Sequence, residues 1–133
     1  MNPFKIDRTG NLPLAFQGEQ LAEASTWAQS GPGNTRWHEL RIYRSDSGRY
    51  VLEIAFRTLW ENEIDRSDAY VLASPVEVAE TVAGYRVVPE GIGYPPGPAY
   101  REKQAALESA IRARFARAAS DLYAGLDGFA ETV

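Results

Sequence analysis

Between residues 37 and 60 apolar and polar side chains alternate in two runs, with a glycine-bearing turn between them. Leu40 and Ile42 alternate with Glu39, Arg41 and Tyr43; beyond Ser45, Asp46, Ser47 and Gly48, Leu52, Ile54 and Phe56 alternate with Val51, Glu53 and Ala55. Successive strand side chains point to opposite faces, so a period of two on both sides of a turn predicts a half-buried antiparallel hairpin. Pairing Ile42 with Leu52 and Leu40 with Ile54 places all four on one face. It leaves Asp46, Ser47 and Gly48 as the loop, suited to a type I turn closed by a left-handed glycine. On the other face the same register sets Arg41 against Glu53 and Tyr43 against Val51, all expected to look outward. Opposite charges across a ladder add about 0.2–1 kcal/mol, and a one-residue slip would bury Arg41 and Glu53.

Other elements follow from weaker patterns. Residues 12–16, Leu-Pro-Leu-Ala-Phe, read as a short edge strand, because proline is tolerated at an edge. Gln17, Gly18 and Glu19 then turn the chain into residues 20–26, which suit strand or helix, with strand preferred. Residues 30–34 form a glycine- and proline-bearing connection. Residues 61–68 make an acidic loop, and residues 69–73, Ala-Tyr-Val-Leu-Ala, a further strand. Ser74, Pro75, Val76 and Glu77 carry a capping box with proline at the first helical position. The helix they open runs to about Ala83, stops at Gly84, and turns Val76, Ala79, Val82 and Ala83 to one side. Residues 85–98 are extended, with regular structure blocked by the glycines and prolines of residues 91–98. A long helix spans residues 99–124, with Tyr100, Leu107, Ile111, Phe115, Ala118 and Leu122 as its apolar stripe. Residues 127–133 form a frayed or loosely docked tail.

The expected fold is α+β: an antiparallel β-meander of three to five strands, with a short helix and a long C-terminal helix packed on one face. A chain of 133 residues fits one domain, residues 1–133, burying roughly two thirds of its unfolded surface. With no cysteine in the sequence, disulfides, thiolate catalysis and cysteine-bound zinc are excluded. The start lacks an apolar run of signal-peptide length and no membrane-spanning apolar stretch occurs, so a cytoplasmic protein with no membrane contact is expected. The net charge of −4 is unevenly spread: residues 36–57 hold five Arg against three acids, and residues 58–90 hold seven acids against two Arg. Overall acidity argues against bulk binding to duplex DNA.

Chemistry-bearing residues are few. His38 is the single histidine; it shares a face with Leu40 and Phe56, and reads either as a general base or as a half-buried sheet residue. No nucleophile motif accompanies it. Glu61, Glu63, Asp65 and Asp68 lack the alternating ligands and central glycine of a calcium loop, so a solvated acidic loop is preferred over a metal site. Gly91 and Gly93 are followed by prolines where a nucleotide fingerprint would start a helix; the segment reads better as a spacer packed on its own domain than as a polyproline strip docked on a partner. No cofactor or metal is expected. Arg36, Arg41, Arg44, Arg49 and Arg57 interleave with Trp37, Tyr43 and Tyr50, a pattern that suits stacking and neutralising single-stranded nucleic acid. The plain alternative is a solvated face with Arg41 paired to Glu53 and Trp37 over Arg57. On the long helix, Ala105, Ala106, Ala110, Ala113 and Ala116, with Arg101, Arg112 and Arg117 keeping the face soluble, would let a second helix or sheet approach closely. Alanine is also simply the best helix former.

Three surfaces therefore carry more binding features than chemistry. The expected function is a small non-catalytic interaction module that binds a protein partner through Trp37, Arg41, Tyr43, Glu53, Arg57, Trp60, Glu61, Glu63 and Asp65. A homodimer would form through Ala106, Ala110, Ala113 and Arg117. Short, acidic, motif-free chains of this kind include accessory and inhibitory proteins, among them mobile-element proteins that block host defence. Single-stranded nucleic-acid binding by the hairpin face, and a small enzyme using His38 with a carboxylate, are the alternatives.

Overall fold

The computed structural model describes residues 1–27 and 35–130. Five strands run in sequence order as one antiparallel meander: β1 (Asn2–Arg8), β2 (Asn11–Ser25), β3 (Arg36–Ser45), β4 (Tyr50–Thr58) and β5 (Arg66–Leu72). Two helices follow, α1 (Pro75–Ala83) and α2 (Tyr100–Ala124). The fold is α+β.

The central hairpin has the register its alternation demands. Ile42 faces Leu52, Leu40 faces Ile54, Arg41 faces Glu53 and Tyr43 faces Val51. The Ser45 N–H donates to the Arg49 carbonyl at 2.8 Å and the Gly48 N–H to the Ser45 carbonyl at 2.9 Å. Gly48 adopts φ +84°, the left-handed geometry that glycine enters without a Cβ clash.

The N-terminal third differs from expectation. Residues 12–16 and 20–26 are not two strands around a turn; 12–16 and 20–25 lie within the single strand β2, which pairs with β1 up to Gly18 and with β3 from Gly18 onward. Strand β1 was hidden because only Phe4 and Ile6 alternate in it, among Pro3, Lys5 and Asp7. Gly18 marks a bend where β2 crosses so close to β3 that a Cβ would strike the Arg44 carbonyl oxygen. Glycine inside a strand commonly marks such an approach. Past this bend the β1–β2 hairpin curls over the inner face of the sheet until its turn reaches β5. There the Thr9 N–H donates to the Ser67 carbonyl at 2.7 Å, and the Ser67 N–H donates to Thr9 Oγ1 at 2.8 Å. The connection expected over residues 30–34 lies outside the described residues.

Both faces of the sheet are consequently covered. Leu40, Ile42, Leu52 and Ile54 are fully buried beneath Val78 and Val82 of α1 and Phe115, Ala118, Ala119 and Leu122 of α2. On the inner face Ile6, Tyr43, Val51 and Ala69 form a second core with Phe4, Leu14 and Phe16 packed against it. Tyr43, expected to look outward, is only 3% exposed.

The helices refine the sequence reading. The Ser74 hydroxyl caps α1 by accepting from the Glu77 N–H at 3.2 Å, while Glu77 reaches the Ala73 N–H rather than that of Ser74. Its buried residues are Val78 and Val82, and Val76 is exposed; a four-residue step follows the helical repeat, whereas Val76 lies on the opposite side. The long helix begins one residue later than expected, because Ala99 takes φ +57° and stands outside it. Its stripe is buried at Ile111, Phe115, Ala118 and Leu122, with Tyr100 and Leu107 half-buried. Residues 85–98 form no regular element, yet Ile92 is buried against Phe56 and Ile111. In the tail, Phe129 docks edge-on against Tyr50 at 5.6 Å. Among the described residues no helix is long and apolar enough to cross a membrane.

Candidate functional site

The inner face grades from apolar to charged along β3. At one end the rings of Phe4 and Phe16 lie 4.8 and 5.5 Å from that of Tyr43. Tyr43 turns its hydroxyl toward the middle of the face and donates to Glu53 Oε1 at 2.8 Å. Burial, reinforced by the adjacent Glu53 carboxylate, pushes the Tyr43 phenol well above its ordinary pKa. Arg41 is surrounded by three carboxylates, Glu23 at 3.2 Å, Glu39 at 3.4 Å and Glu53 at 3.6 Å. Burial works against its charge, but Glu53 and Glu39 outweigh it and raise the guanidinium further. Next along β3, Trp37 donates from Nε1 to Glu39 at 2.9 Å and meets Trp27 edge-on at 4.6 Å. Arg57 donates to Ser67 Oγ at 3.2 Å. Of the residues expected to form an open recognition face, Tyr43 lies inside and Glu53 is largely covered, while Arg41 is committed to carboxylates of its own chain.

His38 lies inside the helix-side core. It is 1% exposed, with Phe56 and Phe115 at 5.1 and 5.0 Å, and its Nε2 has no hydrogen-bond partner. Burial lowers its pKa to about 4, partly opposed by a hydrogen bond to the Val87 backbone. It is a neutral core imidazole.

A different cluster forms at the sheet end where β2 finishes, β3 begins and β4 turns into β5. All three tryptophans gather here: Trp27, Trp37 and Trp60. Thr35 joins the strands, its carbonyl accepting from the Leu59 N–H at 2.9 Å and its hydroxyl from Trp60 Nε1 at 2.8 Å. The Arg36 guanidinium stacks 5.1 Å from the Trp60 ring centroid, whereas the sequence placed Trp37 over Arg57. Four large apolar side chains at this end are exposed, Trp27 and Trp60 each by 50%, Leu59 by 64% and Ile64 by 80%; others, such as Leu12 and Val76, are exposed elsewhere.

The acidic loop also differs from its sequence reading. Strand β5 begins at Arg66, so Asp68 belongs to the sheet, where it accepts from Tyr85 at 2.6 Å and pairs with Arg66 at 3.0 Å. Glu63 is not solvated: its side chain is 1% exposed and grips Arg36 in a two-toothed pair, at 2.8 Å to Nε and 2.6 Å to Nη2. It also accepts from Thr58 Oγ1 at 2.6 Å and from the Gly93 N–H at 3.3 Å. Burial alone would raise the Glu63 pKa, but the bonds from Arg36, Thr58 and Gly93 outweigh it and hold it below the usual carboxylate range. Asp65 accepts from the Thr58 N–H at 2.9 Å, and Glu61 is exposed. Among the described residues no group of three or more histidines and carboxylates is arranged to hold a metal ion.

On α2, Ala106, Ala113 and Arg117 are exposed and Ala110 is half-buried. The residues that sequence reasoning missed are Trp27, Leu59, Ile64 and the anchoring role of Arg36. One signal was present: Leu59, Trp60 and Ile64 are large apolar side chains inside an acidic loop, out of phase with any core stripe. Comparison with known proteins gives no match, neither to a family model, nor to a curated protein, nor to a solved structure.

Proposed function

We propose that this protein is a small non-catalytic interaction module that binds a protein partner through the tryptophan-rich end of its sheet. The observation that carries this reading is that Trp27, Leu59, Trp60 and Ile64, all large, apolar and at least half exposed, stand at one end of the sheet. Scattered apolar residues on a surface need no explanation, but a concentrated aromatic and aliphatic patch marks an interaction site. Tryptophan is among the residues that most often dominate interface energies. Trp60, Trp37 and Glu61 remain in the contact surface, with half-buried Arg41 and Glu53 further along the same sheet face as Trp37. The proposal extends to an accessory or inhibitory role for the protein.

The test is capture by the immobilised full chain from its source cells, followed by size-exclusion with light scattering. A stoichiometric heterocomplex that is lost in a Trp27→Ser/Trp60→Ser variant still folded by circular dichroism is the expected result. Nucleic acid in place of protein, or a homodimer disrupted by Ala106→Glu/Ala113→Glu, would replace this reading with another.

A further inference from the structure

The loop that joins β4 to β5 exposes its apolar side chains and yet is tied by several hydrogen bonds. Leu59, Trp60 and Ile64 face solvent, so their burial within the chain contributes little to folding. Five contacts nevertheless brace the loop from beneath. The Thr58 N–H is held by Asp65, the Thr58 hydroxyl by Glu63, the Glu63 N–H by the Trp60 carbonyl at 3.1 Å, the Trp60 N–H by Thr58 Oγ1 at 3.2 Å, and the Trp60 indole by Thr35. The Arg36–Glu63 pair under them is almost fully covered. Sinking two charges is costly and rarely stabilises a fold compared with apolar packing. A fold that needed only to close β4 onto β5 would do so with a short polar turn. Holding in one arrangement the loop that carries three exposed apolar side chains makes physical sense when they are to be buried elsewhere, because part of the ordering cost of binding is then already met.

From this geometry we infer that residues 58–65 form a pre-ordered docking knob, whose occupant is a concave apolar groove on a partner protein, rimmed by Lys or Arg. The basic rim follows from charge. Glu61 and Asp65 flank the apolar residues and have no ion-pair partner among the described residues, whereas Glu63 is neutralised by Arg36. The protein as a whole carries −4, which steers it further toward a basic surface. Glu63 and Arg36 are positioning residues here and do not meet the partner. The assignment rests on the partner-binding reading above and commits it to one loop and one partner chemistry.

A displayed library of ankyrin-repeat binders, whose randomised side chains line a concave face, supplies the probe for the full-length protein. The expected binders carry apolar centres with Lys or Arg at the rim. Leu59→Ser/Ile64→Ser should weaken them by about a hundredfold, as loss of two anchors does, with Tm unchanged. Glu63→Gln leaves all three apolar side chains in place, and should still weaken binding by about tenfold while speeding amide exchange at Trp60 and Gly93. Binders that settle on the loop but are indifferent to Glu63→Gln overturn the pre-ordering. Binders with acidic rims, or selected sets that ignore Leu59→Ser/Ile64→Ser, overturn the docking assignment. Sedimentation of the protein with phosphatidylcholine vesicles, abolished by that same double variant, overturns it in favour of a lipid surface. A native heterocomplex unaffected by the loop variants removes the knob while leaving the partner-binding reading standing.

Discussion

The two faces of the sheet are lined by the same alternating strands, yet each is covered by different means. On the helix side, Leu40, Ile42, Leu52, Ile54 and Phe56 are fully buried, and the cover comes from elements later in the chain. On the inner side the cover is the chain's own first hairpin. The side chains there change from Phe4, Phe16 and Tyr43 to Arg41, Glu53 and Glu39, and then to Trp37 at the open end. A strand face that reads as polar is therefore not necessarily a surface. When a sheet curls, its concave side gains neighbours that the strand pattern does not announce.

Substitutions test this contrast. Phe56→Ala on the helix side removes a fully buried ring and should cost about 4 kcal/mol, while Phe16→Ala on the inner side, where the ring is partly covered, should cost about half as much. Urea unfolding midpoints measure both, and equal costs would erase the distinction between the faces.

Acid titration separates them next. His38 holds a pKa of about 4 in the folded protein against 6.5 for the free side chain. Between those values the unfolded chain binds a proton that the folded one refuses, so stability falls as pH drops through that window. The total loss should be roughly 3 kcal/mol, and above pH 6.5 His38 adds no slope. The depressed Glu63 pKa acts in the same direction at lower pH, so the informative quantity is the difference between wild type and His38→Leu. A curve that stays unchanged in this variant would place the imidazole in contact with water.

A smaller effect probes the curl itself. Gly18→Ala drives a methyl against the Arg44 carbonyl oxygen and should cost about 2 kcal/mol. Amide exchange at Thr9 and Ser67 should quicken if the hairpin lifts from β5. Unaltered exchange with full stability would mean that the bend does not depend on the missing side chain. The smallest change is Tyr43→Phe, which removes one hydrogen bond to Glu53 and should cost about 1 kcal/mol by thermal unfolding.

Much of the architecture was legible in local patterns. The β3–β4 register followed from alternation, because a slip would exchange every side chain between faces. The start of α1 followed from Ser74 and Pro75, and the buried stripe of α2 from Ile111, Phe115, Ala118 and Leu122. The face of α1 was misread, since Val76, Val78 and Val82 are chemically alike and only the packing direction separates them. The candidate site was less legible. Trp60 and Glu61 were placed at it from the sequence, but Trp27 and Leu59 follow different strands and share one end of the sheet only because β2 and β4 finish there on either side of β3. Glu63 looked like any exposed acid because its partner Arg36 is far away along the chain and adjacent only across the sheet.

By itself the sequence determined the strand alternation, the hairpin register and the start of α1, each of which depends on residues near one another along the chain, and its composition excluded thiol chemistry. Tertiary structure alone decided that β2 bends at Gly18, that Tyr43 is buried beside Phe4 and Phe16, that His38 is a neutral core residue, and that Glu63 braces an exposed apolar loop from below. Those outcomes depend on which distant segment covers which face. Burial and pairing are properties of neighbours in space, and the order of residues along a single chain records such neighbours only indirectly.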